Sequence, residues 1–353
     1  MNLNPLIEIS RRYGADSSYV LLGGGNTSVK EDGILYVKAS GHALGSIDEG
    51  GFVRMDLSKL DGIWHKRYSV DDQEREDEVL ADMMACRLSG ETSRPSVEAL
   101  LHALLPFPYV VHLHPALVNG ITCAQGGEEA MTRLFPDALW VELVKPGFTL
   151  ANVVRDRMGD HSYPMIFLEN HGIFVGSDSI EGIEEIYDHL MGKIEGALVR
   201  KPDFKQMPYD EEEVASLTKV LESESGQRVL FACNKEIRSF LANATAFEPV
   251  SSSFTPDHIV YAGFKPLWIE RGTDVKAAYR SFEKEYDGAA KIVCVERLGV
   301  FSVGEKPLPL FLDTVAIAVY SESFGGPKFM THEMIEFIRN WEVERYRAQV
   351  TKA

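Results

Sequence analysis

The chain has 353 residues, 45% hydrophobic and 25% charged, which is the make-up of a folded globular protein with two domains or one large one. Its net charge of −17 argues against general binding to nucleic acid or to an anionic membrane, so an anionic substrate needs a local positive site, which a metal supplies. Cys86, Cys123, Cys233 and Cys294 are scattered, without a Cys-x-x-Cys, which argues against a disulfide framework or a thiolate zinc site.

Met1-Asn2-Leu3-Asn4-Pro5 lacks the basic and apolar regions of a signal peptide, and no run of about eighteen apolar residues occurs, so the cytoplasm is the expected location. Residues 4–14 read as a helix and 19–23 as a short strand, followed by a sharp turn at Gly23-Gly24-Gly25. Asn26, Thr27 and Ser28 lead into a hairpin: an Asp-Gly turn at Asp32-Gly33, then the apolar run Ile34-Leu35-Tyr36-Val37. The glycines let backbone N–H groups approach an anion, and Ser40-Gly41 offers a second small donor loop, although each stretch alone also fits a plain tight turn.

Phe52 to Asp56 reads as a strand. An acidic start near Asp71 opens a helix to Gly90, with Val79, Leu80, Met83, Met84 and Leu88 apolar-periodic. Pro95 sets the next entry, Ser96 is placed to cap a helix, and Glu98 stands in its first turn. On local grounds Glu98 is a helix-dipole carboxylate or an acid/base. His102 follows four residues later on the same face, where it fits a metal ligand or, the favoured reading, a buttress for the histidine pair beyond it.

That pair is His112 and His114, in Val111-His112-Leu113-His114-Pro115. Alternate side chains of a strand share a face, so both imidazoles can converge on one point. Tyr109-Val110-Val111 reads as a buried strand, and buried imidazoles need partners. A third imidazole from His171, in Leu168-Glu169-Asn170-His171-Gly172, completes a three-nitrogen corner with open positions, the layout of a catalytic zinc site. Between these motifs lie expected helices at 116–124, 128–135 and 152–157 and strands at 139–143 and 165–168, with a long helix over 180–198. Together they predict an α/β fold: three layers, α/β/α, with a mainly antiparallel central sheet.

These motifs, in this order, resemble the class II aldolase/adducin family: Gly24-Gly25-Asn26-Thr27-Ser28, Ala39-Ser40-Gly41, Pro95-Ser96-Val97-Glu98 with His102, His112-Leu113-His114-Pro115 and Asn170-His171-Gly172. The resemblance covers about residues 15–200 and is nearest to the aldolase part of fused rhamnulose-1-phosphate aldolase–dehydrogenase proteins. No Gly-x-Gly-x-x-Gly follows a strand here. It implies a lyase that cleaves a ketose 1-phosphate of the fuculose or rhamnulose type to dihydroxyacetone phosphate and an aldehyde through a zinc-stabilised enediolate. It implies Zn²⁺ or another divalent metal on His112, His114 and His171, with Glu98 as acid/base. It also implies a phosphate held by Gly25, Asn26, Ser40, Gly41 and Ser96. Where such aldolases often carry a second serine before the glutamate, this chain has Val97, so a weaker phosphate grip or a non-phosphorylated substrate stays open. A sugar-phosphate epimerase or decarboxylase on the same corner, and a non-catalytic adducin-like module, are the alternatives. A homo-oligomer acting on a small sugar phosphate is expected, with neither nucleic acid nor membrane as partner.

Residues 200–215 read as a linker, dividing a catalytic domain at 1–205 from a smaller α/β domain at 206–353. The second part echoes the first: Ile292 to Phe301 resembles Met165 to Phe174, with Leu298 where His171 stood, and a helix follows both times, Leu310 to Tyr320 here. It is expected to be a degenerate, metal-free repeat. Thr255-Pro256-Asp257-His258 reads as a turn, and Thr331 to Arg347 as an amphipathic helix.

Overall fold

The computed structural model describes residues 2–341. The Asp-Gly signal does what its chemistry dictates: Asp32 and Gly33 both take positive φ, turning β1 (Asn26–Glu31) back into β2 (Ile34–Lys38). β3 (Phe52–Asp56) pairs with β2, and β4 (Tyr109–Leu113) with β1, both antiparallel. With β5 (Leu139–Val141), β6 (Met165–Leu168) and β7 (Gly172–Ser177) they form a seven-stranded sheet, order β3-β2-β1-β4-β7-β6-β5. Only β5 and β6 run parallel within it.

One face of this sheet is covered by α2 (Leu57–Ile63), α3 (Asp72–Ala85), α4 (Ala99–Leu104) and α7 (Phe148–Met158). Val37, Val53, Met55, Val110, Ile166 and Phe174 meet Leu60, Met83, Leu101 and Val154 there in one apolar cluster. On the other side α1 (Asn4–Ala15), α5 (Ala116–Thr122) and α8 (Ile180–Glu195) contact β1, β4 and β7. The result is the expected three-layer α/β/α arrangement with a mainly antiparallel sheet. α6 (Gly127–Leu134) completes this unit. The expected strand at 19–23 is absent, because Tyr19 and Gly24 donate backwards to Asp16 and Leu21 and Leu22 takes positive φ, a run of turns rather than a ladder.

Among the described residues the chain divides into two units, 2–122 with 127–197 and 340–341, and 123–126 with 198–339. The long segment of the second unit runs from Leu198, ahead of the linker read from composition. Arg200 there is paired with Glu236 and Glu322, which fixes that stretch to its own unit.

The second unit contains α9 (Glu211–Ser225), β8 (Val229–Ala232), α10 (Lys235–Phe240), α11 (Ala244–Phe247), β9 (Leu267–Ile269), α12 (Val275–Tyr286), β10 (Ile292–Val295), β11 (Gly299–Val303), α13 (Pro307–Ser321) and α14 (His332–Asn340). Its four strands lie in the order β8-β11-β10-β9, paired antiparallel, antiparallel and parallel, as β4-β7-β6-β5 are in the first unit. The turns correspond as well. Asn170 and Arg297 both take positive φ, and their N–H groups donate to Thr122 O and Leu241 O. The expected turn at Thr255-Pro256-Asp257-His258 instead leads into a single π-helical turn, His258–Ala262. There Thr255 Oγ1 lies 2.7 Å from His258 Nδ1, and this local bond winds the chain on. Of the expected tail helix, His332–Asn340 is present, and Val343, Tyr346 and Arg347 lie outside the described residues. No helix of the described residues is long and apolar enough to cross a membrane.

Candidate metal centre

β4 delivers His112 fully buried at its C-terminal end, and His114 follows just past the strand. β7 lies antiparallel beside β4, with Phe174 opposite His112, and the Asn170 turn that starts β7 brings His171 to the same place. An asparagine tolerates the left-handed conformation that this tight turn needs. The ring of His112 stacks on Phe174 at 4.0 Å between centroids. Ligand nitrogens of His112, His114 and His171 lie within 4.8 Å of one another. This convergence is what alternation along the strand predicts for the first two and what the turn adds for the third.

The protonation pattern suits a cation. Burial lowers the His112 pKa well below its usual range, so its ring is neutral. Its Nδ1 is 2.9 Å from Ile173 O and therefore carries the proton, which leaves the Nε2 lone pair facing the corner. His114 Nε2 stands 2.9 Å from that lone pair. Gly172 is required here, because a Cβ would lie 2.5 Å from Leu113 O and 2.7 Å from His114 Cδ2. Gly172→Ala is expected to destabilise the fold by about 1–3 kcal/mol and to weaken metal binding, read from urea denaturation and metal titration.

Glu98 stands at the start of α4, where its side chain makes no capping bond; the cap comes from Ser96, as expected, whose Oγ accepts from Glu98 N at 3.2 Å. The carboxylate points to the imidazoles: Oε1 is 3.4 Å from His112 Nε2 and 3.5 Å from His171 Nε2. Oε1 is buried and makes no hydrogen bond among the described residues. Two ligand atoms of a tetrahedral zinc with bonds of roughly 2.0–2.1 Å stand about 3.4 Å apart. A buried, unsatisfied carboxylate oxygen at that spacing from two nitrogen donors fits a divalent ion. Burial raises the Glu98 pKa, but the imidazole nitrogens turned toward it, that of His171 among them, and the hydrogen bond from the Asn26 amide outweigh this and lower it to about 2.

His102 is not a ligand and does not contact the pair directly. It is fully buried, hydrogen-bonded to Asn26 and Ser28, and packed edge-on against Phe174. Burial lowers its pKa from 6.5 to about 3. Between these values the unfolded chain binds a proton that the folded chain refuses, so this contribution to stability is lost as pH falls from about 6.5 toward 3. His102→Gln is expected to flatten stability against pH across that window, measured by denaturant titration of the metal-free protein.

The residues expected to hold a phosphate sit at this end of the sheet. Asn26 is register partner of His112, and Gly25 precedes it at φ +65°, where a Cβ would lie 2.8 Å from His112 O. Ser40 and Gly41 follow the end of β2, beside the segment leading to Glu98: Ser40 N donates to Arg94 O, and Ser96 N to Lys38 O. The Asn26 side chain is engaged with Glu98 and His102. Sequence reasoning missed Phe174 as the floor under His112 and Lys38 as a buried cation near these loops. An unbroken apolar run hides the first, and a lysine at a strand end reads as surface.

Comparison with known proteins follows the same lines. The chain is similar to the uncharacterized oxidoreductase YuxG of Bacillus subtilis, 23% identical over 398 residues; the match covers 98% of this chain but only 56% of that one. Among solved structures it is similar to the N-terminal class II aldolase domain of a conserved protein from Thermoplasma acidophilum (25% identity, 56% of this chain and 93% of that one, TM-score 0.49). A second is L-fuculose-1-phosphate aldolase from Thermus thermophilus (13% identity, 55% and 94%, TM-score 0.37). The family model for the class II aldolase and adducin N-terminal domain matches residues 4–189, more than half of the chain. This protein therefore belongs to the class II aldolase and adducin family.

Proposed function

We propose that the first unit is a metal-dependent aldolase that cleaves a ketose 1-phosphate to dihydroxyacetone phosphate and an aldehyde. The observation that carries this reading is the unsatisfied Glu98 Oε1 among three imidazoles, a base and a metal corner in one place. His112, His114 and His171 would hold the ion, zinc or another divalent metal. Bound there, it would supply the Lewis acidity that makes a hydroxyketone acidic enough for a carboxylate to deprotonate. Glu98, held ionised, takes the carbon-bound proton in the condensation direction; in cleavage it takes up the proton that the substrate hydroxyl releases as its carbon becomes the aldehyde, and delivers it to the other carbon of the broken bond. Gly25, Asn26, Ser40, Gly41 and Ser96 are assigned to the phosphate, the glycines and serines leaving room for backbone N–H donors. Val97 supplies no hydroxyl there. The chain is assigned to the cytoplasm and to a homo-oligomer.

Epimerisation and decarboxylation use the same corner, so the test is an assay of ketose 1-phosphates of the fuculose and rhamnulose type for aldehyde release. Release of aldehyde with dihydroxyacetone phosphate supports the aldolase, whereas conversion to an isomeric sugar phosphate without cleavage replaces it with an epimerase. An adducin-like module without chemistry has no need of the four-residue set, and it predicts neither bound metal nor turnover.

The second unit, read as a degenerate repeat of residues 109–195, has no metal role. The strand registers set Phe231 and Leu298 at the positions of His112 and His171, and Cys233 follows where His114 does. One metal per chain is the expected stoichiometry, measured by elemental analysis of the purified protein; two would overturn the metal-free repeat.

A further inference from the structure

The base of this site is held from behind by a directional chain of buried hydrogen bonds. Asn26 turns its NH₂ group to Glu98 and donates to Oε2 at 2.6 Å. That orientation presents Asn26 Oδ1 to His102, whose Nε2 must then carry the proton and donate. His102 is neutral, so its Nδ1 has a lone pair, and Ser28 Oγ donates to it at 2.7 Å. Every link is buried, and each fixes the polarity of the next. The scaffold under the chain is rigid. Asn26 and Ser28 are alternate residues of β1 and share one face of the strand, while His102 lies on α4, which Lys30 ties down by donating to His102 O and Leu105 O. The chain ends on one oxygen of Glu98 and leaves the other, Oε1, at the imidazole corner.

We propose that Asn26 and His102, backed by Ser28, are positioning residues that fix the Glu98 carboxylate through Oε2, so that Oε1 alone faces the metal. Asn26 thereby acts through its amide on the base. The side-chain swing that a free carboxylate at a helix start would make is opposed by this anchor. The inference rests on the metal reading of the three imidazoles.

The test is zinc affinity, measured by competition with a chromophoric chelator, which needs no substrate. Asn26→Ala and His102→Phe are each expected to weaken zinc binding about tenfold, the lower end of the effect of losing a group that orients a metal ligand. The same changes made on Glu98→Ala are expected to leave its affinity where it was, because their effect passes through that carboxylate. His102→Gln, which keeps a donor on the same face of α4, should retain most of the wild-type affinity. Equal losses with and without Glu98, as general damage to the fold would give, overturn the proposal, and so does unchanged affinity in both single variants. Wild-type protein that binds no zinc overturns the metal reading itself, a result distinct from either.

Discussion

His112→Ala is expected to yield a protein with no bound metal and no detectable turnover. The ring supplies one of three nitrogens of the corner, and its Nε2 is the atom to which both His114 Nε2 and Glu98 Oε1 are close. Its Nδ1 bond to Ile173 O and its stack on Phe174 fix that geometry, and alanine removes all of it at once. Because His112 is fully buried, the metal-free variant should also lose about 2–4 kcal/mol of stability to the cavity left behind. Metal analysis is therefore paired with circular dichroism. A folded variant without metal is the expected outcome, and a folded variant with full metal content would place the ion elsewhere.

Glu98→Gln separates the base from the ligands. The three imidazoles remain, so metal content should stay near one per chain, while turnover falls by roughly a hundredfold or more, the usual scale for loss of a general base. A glutamine keeps an oxygen to accept from Asn26, so the fold and the hydrogen-bond chain behind it survive. A dipole-stabilising carboxylate would predict near-normal turnover, but the structure already turns this side chain away from the helix N-terminus and toward the imidazoles.

The convergence of His112, His114 and His171 was legible because its signals are short-range or periodic. Two imidazoles at i, i+2 on an apolar strand share a face by geometry alone, and Asn-His-Gly marks a tight turn. The Asp-Gly hairpin, the acidic start of α3 and the alternation of β4 were legible for the same reason. What the sequence did not show depends on distant pairings. Asn26 is seventy-two residues from Glu98 and seventy-six from His102, and no local pattern predicts that its amide joins them. His102 was expected to support the histidine pair because it shares a helix face with Glu98, yet β1, lying between, takes up both its nitrogens. The correspondence between β10–β11 and β6–β7 was visible as an echo around Gly299, but its extent through β8 and β9 was not. Phe231 and Cys233 stand at the register positions of His112 and His114, so no histidine marks it in the sequence.

The most direct test of the account is exchange of the carbon-bound proton of dihydroxyacetone phosphate in D₂O, followed by NMR. It isolates the step assigned to Glu98 and needs no knowledge of the aldehyde. The account predicts stereospecific uptake of one deuterium by the metal-loaded protein, abolished by a chelator and by His112→Ala, and reduced by roughly a hundredfold or more in Glu98→Gln. Exchange that persists at the wild-type rate in Glu98→Gln, or no exchange from metal-loaded wild-type protein, would contradict it.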